Sequence, residues 1–213
     1  MVSREVPSDD ERPGSGGMPP GEWALPPPGF FARGAVPLAR ALLGCLLVLE
    51  DEGTGEAGGV VVETEAYTED DAASHSRSGP TERCRQMFGP GGCAYVYLIY
   101  GMHRCFNVTS GPCGSGEAVL VRALRPTLGL DAMAARRGRS RPEELCSGPG
   151  RLCQALGIGL GHNGHDLRRP PLRVLTPQTP PELAVEATGR IGITRDAHLR
   201  RRFVVAGSRF LSR

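Results

Sequence analysis

The sequence predicts an α/β chain of the α+β type: a single compact domain with a mixed, largely antiparallel β-sheet, flanking helices and a protruding β-hairpin. Three observations predict it. Apolar, β-branched or aromatic runs follow one another across short Gly-rich turns, as in antiparallel hairpins. Helical periodicity is confined to a few short segments. At 213 residues the chain can bury one substantial core.

Residues 1–28 are rich in Pro, Gly and acid and read as a disordered tail, leaving 29–213 as the folded domain. Trp23 is a candidate to dock on that domain. Residues 37–43 carry helical apolar spacing, with Gly44 placed to cap them. Residues 45–49 read as a strand, and 51–59 as an acidic, Gly-rich turn leading back into a second strand from Val60. The 95–108 stretch reads as another hairpin, with Tyr100-Gly101-Met102 at its turn. Residues 118–124 form a β-type run. Residues 128–137 read as a helix, and 142–157 as helical at both ends around Ser147-Gly148-Pro149-Gly150, a break that exposes a helix N-terminus. The 157–181 segment is loop-like, and 191–193 and 203–205 read as closing strands.

Charge and cysteine usage narrow the chemistry. All 25 basic residues are Arg, which excludes lysine Schiff-base chemistry. The first 28 residues carry five acids against two Arg, a net of −3, so the formal +2 of the chain leaves +5 on the remainder. That balance suits a phosphate-bearing partner, as does the Arg77, Arg83, Arg85 loop, although charge alone favours an ordinary solvated loop there. Seven cysteines without a C-x-x-C pair fit reduced thiols. There is no membrane-spanning run and no secretory pattern, so a soluble, intracellular protein is expected.

The chemistry-bearing stretch is Val60-Val61-Val62-Glu63-Thr64-Glu65-Ala66-Tyr67. Strand alternation puts Val61, Glu63, Glu65 and Tyr67 on one face, with Val62, Thr64 and Ala66 on the other. Two carboxylates on an apolar strand need partners, either a structural Arg or a catalytic setting. Arg122, on the 118–124 run, is the candidate ion-pair partner of Glu65. The four tyrosines of the chain are Tyr67 and, within six residues, Tyr95, Tyr97 and Tyr100. Packing accounts for any one of them; their concentration beside an acidic strand and a basic loop suits stacking on bases. His162, His165 and Asp166 make only a weak metal pattern, and Arg200-Arg201-Arg202 reads as a solvated face.

Taken in order, Val62-Glu63-Thr64-Glu65-Ala66-Tyr67, Ala73-Ser74-His75-Ser76, Tyr95-Val96-Tyr97-Leu98-Ile99-Tyr100-Gly101-Met102, Asn107, Leu120-Val121-Arg122-Ala123-Leu124 and Leu145-Cys146-Ser147-Gly148-Pro149 closely resemble the alkyladenine (3-methyladenine) DNA glycosylase family. The likeness runs from about residue 30 to the C-terminus. It implies a curved sheet and a monofunctional base-excision repair enzyme without lyase activity. Such an enzyme flips an alkylated or deaminated purine out of duplex DNA and hydrolyses its N-glycosidic bond. By the same resemblance Glu65 activates water and Arg122 positions it, a cation whose charge favours the ionised form of a neighbouring carboxylate. Tyr67, His75, Tyr97 and Asn107 enclose the extruded base, with Asn107 crowding the 2-amino group of normal guanine. Tyr100 and Met102 enter the DNA. The expected partner is double-stranded DNA containing a damaged purine, the expected state a monomer without cofactor or metal, and the location that of the DNA, nucleoid or nucleus. His103 and Arg104 are more polar than the aromatic pair of some relatives. Rival readings are a non-catalytic damage-binding protein, and a metal nuclease built on Glu63, Glu65 and the histidines.

Overall fold

A computed structural model describes residues 23–212. Nine strands and four short α-helices follow in the order β1 (Trp23–Ala24), α1 (Ala35–Ala41), β2 (Leu46–Asp51), β3 (Gly55–Tyr67), β4 (Ala94–Ile99), β5 (His103–Ser110), β6 (Glu117–Leu128), α2 (Leu130–Arg137), α3 (Pro142–Leu145), α4 (Pro149–Leu156), β7 (Leu172–Pro177), β8 (Val185–Thr188) and β9 (Arg202–Val205). The strands form one curved, unclosed sheet in the order β1-β7-β2-β3-β6-β5-β4, and the β8–β9 ribbon joins it along β3. Each of these pairings is antiparallel, in keeping with the expected α+β fold.

The spine of the sheet is β3. Its first half pairs with β2 and its second half with β9, while β6 runs along the other edge for nearly its whole length. Helices α1 and α4 cover one face, where Leu38, Ala39, Leu152 and Leu156 pack with Val61, Ala66, Phe106 and Val121. Thr64 is buried on this face by donating its hydroxyl to the Ala39 carbonyl at 2.9 Å.

Register irregularities at Gly58/Gly59 and on both sides of Glu63 break strict alternation in β3. The expectation that Val61 shares a face with the glutamates is therefore corrected: Val61 lies in the helix-covered core, and Val62 packs with Ala123 and Phe210. An extra residue in one strand of an antiparallel pair shifts every side chain beyond it by one step.

Three further expectations change. The loop expected over 157–181 contains β7, whose Leu172 and Val174 enter the core; the prolines around it mask a strand paired on both edges, with β1 and β2. Residues 191–193 are not a strand; the ribbon's first arm is β8, and 191–193 form a loop beside the site. In the expected 1–28 tail, Trp23 and Ala24 pair with β7 at Pro177 and Thr176. The Trp23 ring packs against Leu46, Val48, Leu128 and Leu175, which gives this stretch enough apolar contact to be held. Residues 1–22 lie outside the described part of the chain.

Candidate active site

The C-terminal half of β3 lies between β6 and β9, so the side chains of Glu63 and Glu65 leave the helix-covered core but remain inside the protein. Neither has any exposed surface. Two buried carboxylates require cations and hydrogen-bond donors, and four elements distant in sequence supply them. Arg122 of β6 places Nε 3.0 Å from Glu63 Oε1 and Nη1 3.2 Å from Glu65 Oε1. Glu63 also accepts from Arg202 Nε at 2.7 Å, from the Ser212 hydroxyl at 2.7 Å and from the Ser212 amide at 2.6 Å. Glu65 accepts the Tyr67 phenol on Oε2 and the Ile191 amide on Oε1, both at 2.8 Å.

Tyr67, Arg122 and Ile191 face a cavity of about 560 Å³. Glu65 sits one layer behind this wall, held by three donors that themselves line it. Its Oε1 takes two of them; Oε2 takes only the phenol and keeps acceptor capacity for one further donor. Burial, followed by the charge of Glu65, pushes the Tyr67 phenol far above its ordinary range, so it remains a donor.

Opposite Tyr67, the β4–β5 hairpin and the loop after β3 build an aromatic wall. Tyr95 and Tyr97 lie on one face of β4 with ring centroids 5.2 Å apart. His75 returns from the loop to place Nδ1 2.9 Å from the Tyr95 hydroxyl, with its ring edge-on to Tyr97 at 4.7 Å. Desolvation, then the charge of Arg83, lowers the His75 pKa from its ordinary 6.5, so the imidazole is neutral at pH 7. Asn107 of β5 is buried and donates Nδ2–H to the Tyr95 carbonyl at 3.0 Å, which fixes the amide against the cavity.

Tyr100, at the rim, and Met102, beside it at the hairpin tip, have 83% and 70% of their surface exposed. Tyr100 and Gly101 have φ of 53° and 71°, the sign pattern of a type I′ hairpin turn. A bulky side chain at the first of these positions is strained.

Seven of the eight site residues expected from the sequence thus gather around one cavity, Glu65 behind its wall and Arg122, Tyr67, His75, Tyr97, Asn107 and Tyr100 lining it, while Met102 is exposed beside Tyr100 at the hairpin tip and does not line it. The sequence reading missed the structural weight of Glu63, the Ile191 amide and Ser212. It also misplaced Arg201 and Arg202: instead of forming a solvated face, they pair with Asp71 and Glu63. His162 and His165 are used in local contacts with Gly159 and Arg169. No three metal-ligating side chains gather among the described residues.

A site of this kind can hold a flat ring between aromatic walls, with a buried carboxylate one layer behind one of them. The family model for methylpurine-DNA glycosylase matches residues 29–209. A protein of Methanoculleus marisnigri named "Putative 3-methyladenine DNA glycosylase" is 54% identical over 190 residues, 88% of this chain and 98% of its own. Proteins given the same name in Rhodopseudomonas palustris and Rhizobium etli are 48% and 50% identical, over 95% and 86% of this chain and 95% and 87% of their own. The chain belongs to the methylpurine-DNA glycosylase family. Its class is therefore that of a DNA glycosylase, a hydrolase of DNA repair.

Proposed function

We propose that the protein is a monofunctional glycosylase that extrudes an alkylated or deaminated purine from duplex DNA, takes it into the aromatic cavity and hydrolyses its N-glycosidic bond. The observation that carries this reading is a carboxylate oriented by three donors directly behind the wall of a cavity lined by tyrosines. Water bound to the spare acceptor position of Glu65 Oε2 gives up a proton as it attacks the sugar C1′, and the purine leaves with the bond electrons. General-base assistance of this kind contributes roughly 10²–10⁴-fold. Arg122 holds the carboxylate and faces the same space. The chain contains no lysine, which fits attack by water and a product whose sugar-phosphate backbone is intact.

Extrusion costs a few kcal/mol, about what one or two base–aromatic stacks return. Tyr67, Tyr97 and the neutral ring of His75 receive the base. Electron-rich rings favour a cationic alkylated purine over its neutral parent. Asn107, fixed by its bond to the Tyr95 carbonyl, crowds a 2-amino group and so excludes normal guanine. Tyr100, with Met102 beside it, enters the minor groove and fills the vacated stack. The protein acts as a monomer on double-stranded DNA, in the compartment that contains it; residues 29–213 form the catalytic domain, and 1–28 are dispensable for chemistry.

The test is a single-turnover incubation, in chelator, with duplexes carrying one hypoxanthine or one ethenoadenine. Free base together with breaks that appear only after alkali is the expected result. Direct, chelator-sensitive strand scission would instead establish the nuclease reading, and tight binding without release a damage-binding protein.

A further inference from the structure

Behind the ring of Tyr67, on the side away from the cavity, lies a buried cation with no place in the chemistry above. The Arg190 side chain has no exposed surface and its guanidinium carbon is 4.7 Å from the Tyr67 ring centroid. Its Nη1 donates to the Ala66 carbonyl at 3.1 Å and to Asp71, and its Nη2 donates to the other Asp71 oxygen at 3.0 Å. A planar fork can satisfy two carboxylate oxygens and a carbonyl at once; an ammonium cannot do so in that geometry.

Its partners make the pair more than ballast. Asp71 begins the loop that leads to His75 and shapes it from within, accepting the Ala73 amide on Oδ1 at 2.9 Å and the Ser74 amide on its carbonyl at 2.9 Å. The residue after Arg190 is Ile191, whose amide donates to Glu65. Asp196, further along the same loop, returns to accept the Ala72 amide at 2.8 Å. Arg190 and Asp71, whose Oδ2 also lies 3.3 Å from Arg201 Nη1, therefore join the end of β3, the loop that carries His75 and the loop that presents an amide to the carboxylate.

We infer that Arg190 is a positioning residue for base excision: through Asp71 it fixes the His75 wall, through its face it supports the stacking ring of Tyr67, and through its chain neighbour it holds the Ile191 amide on Glu65. The inference rests on the glycosylase reading and adds to it a residue that contacts neither base nor water. Occupation of the cavity by a base and alignment of the carboxylate are then set by one element, and loosening it degrades both together.

Arg190→Lys keeps the charge and removes the fork; Asp71→Asn keeps the shape and removes the countercharge. Each is compared with wild type for single-turnover release of ethenoadenine and for affinity to a duplex holding a stable abasic-site analogue, which offers no base to stack. The expected result is release slowed by roughly 10–100-fold, the scale on which misplacing a catalytic group acts, with affinity for the abasic duplex unchanged. Release at the wild-type rate in Arg190→Lys would overturn the positioning role of the fork. A parallel loss of release and abasic affinity in both variants would reduce the pair to a general support of the fold. Wild-type protein that releases no base would overturn the glycosylase reading and the inference with it, an outcome distinct from active wild type with active variants.

Discussion

At the floor of the cavity the protein buries two carboxylates completely and surrounds them with Arg122, Arg202, Ser212, Tyr67 and the Ile191 amide. At its rim it leaves a tyrosine 83% exposed on a strained turn. The first region draws its order from partners on four segments distant in sequence. The second spends local stability to keep an aromatic ring in water, a cost that makes sense only where something else will bury it. On the proposed function, chemistry and recognition are thus separated along one cavity, and substitutions in the two regions should fail in different ways.

The sharpest contrast comes from the floor. Glu65→Gln preserves shape and most hydrogen bonding but removes the base, so release should fall by roughly 10²–10⁴-fold while damaged duplex is still bound. Single-turnover rates and equilibrium binding on the same ethenoadenine duplex measure the two separately, and retained turnover would remove Glu65 from the base role. Arg122→Met should damage the fold as well. It strands Glu65 without a cationic partner, and breaking a buried pair from one side costs about 3–5 kcal/mol. Urea unfolding reads this loss; a midpoint close to wild type would show that the amide and the phenol alone suffice.

The rim should behave in the opposite sense. Tyr100→Asn places a residue that tolerates φ near +53° at that turn position, so the folded protein should gain about 1 kcal/mol. Loss of the wedge should weaken capture of the flipped nucleotide by about 1–3 kcal/mol, the worth of a base–aromatic stack. Thermal melts and damaged-duplex affinity should therefore move in opposite directions. If both fell, the strain would belong to the fold and not to the recognition device.

The two regions also differ in how far they could be read from sequence. The rim is local: Tyr95, Tyr97, Tyr100 and Met102 occupy one hairpin, and strand alternation with a Gly turn is enough to place them. The floor is not. Glu63 and Glu65 are two residues apart, but their partners Arg122, Ile191, Arg202 and Ser212 lie 57–149 residues away, and no periodicity links Arg202 or Ser212 to a strand so distant. An Arg200-Arg201-Arg202 run resembles a solvated face until the pairing of β9 with β3 brings Arg202 opposite Glu65 and beside Glu63. The irregular pairing around Glu63 was likewise hidden, because alternation assumes a strand without insertions. Of the fold, the hairpins and short helices follow from local pattern. Strand β7 does not, since its apolar positions are few and its flanks are rich in proline.

The smallest effect lies between the two regions, at His75. Desolvation and the nearby charge of Arg83 depress its pKa below 6.5 in the folded protein. As pH falls below 6.5 the unfolded chain takes up a proton that the folded chain resists, so stability is lost in that direction; above 6.5 both states are neutral and the group contributes nothing. The effect on stability is slight because the ring is exposed at the cavity wall. On the proposed function its effect on recognition is larger in kind: a neutral imidazole would accept a cationic alkylated purine, and an imidazolium would repel it. In a Glu65→Gln background, where duplex can be bound without turnover, affinity for duplex carrying 7-methylguanine should hold through pH 6.5 and weaken only at more acidic pH. Affinity for the neutral ethenoadenine should change less over the same range. Adding His75→Gln should flatten the difference between the two bases; an acid limb that survives this change would belong to the DNA or to another group, and would leave His75 as a wall without a charge-sensing role.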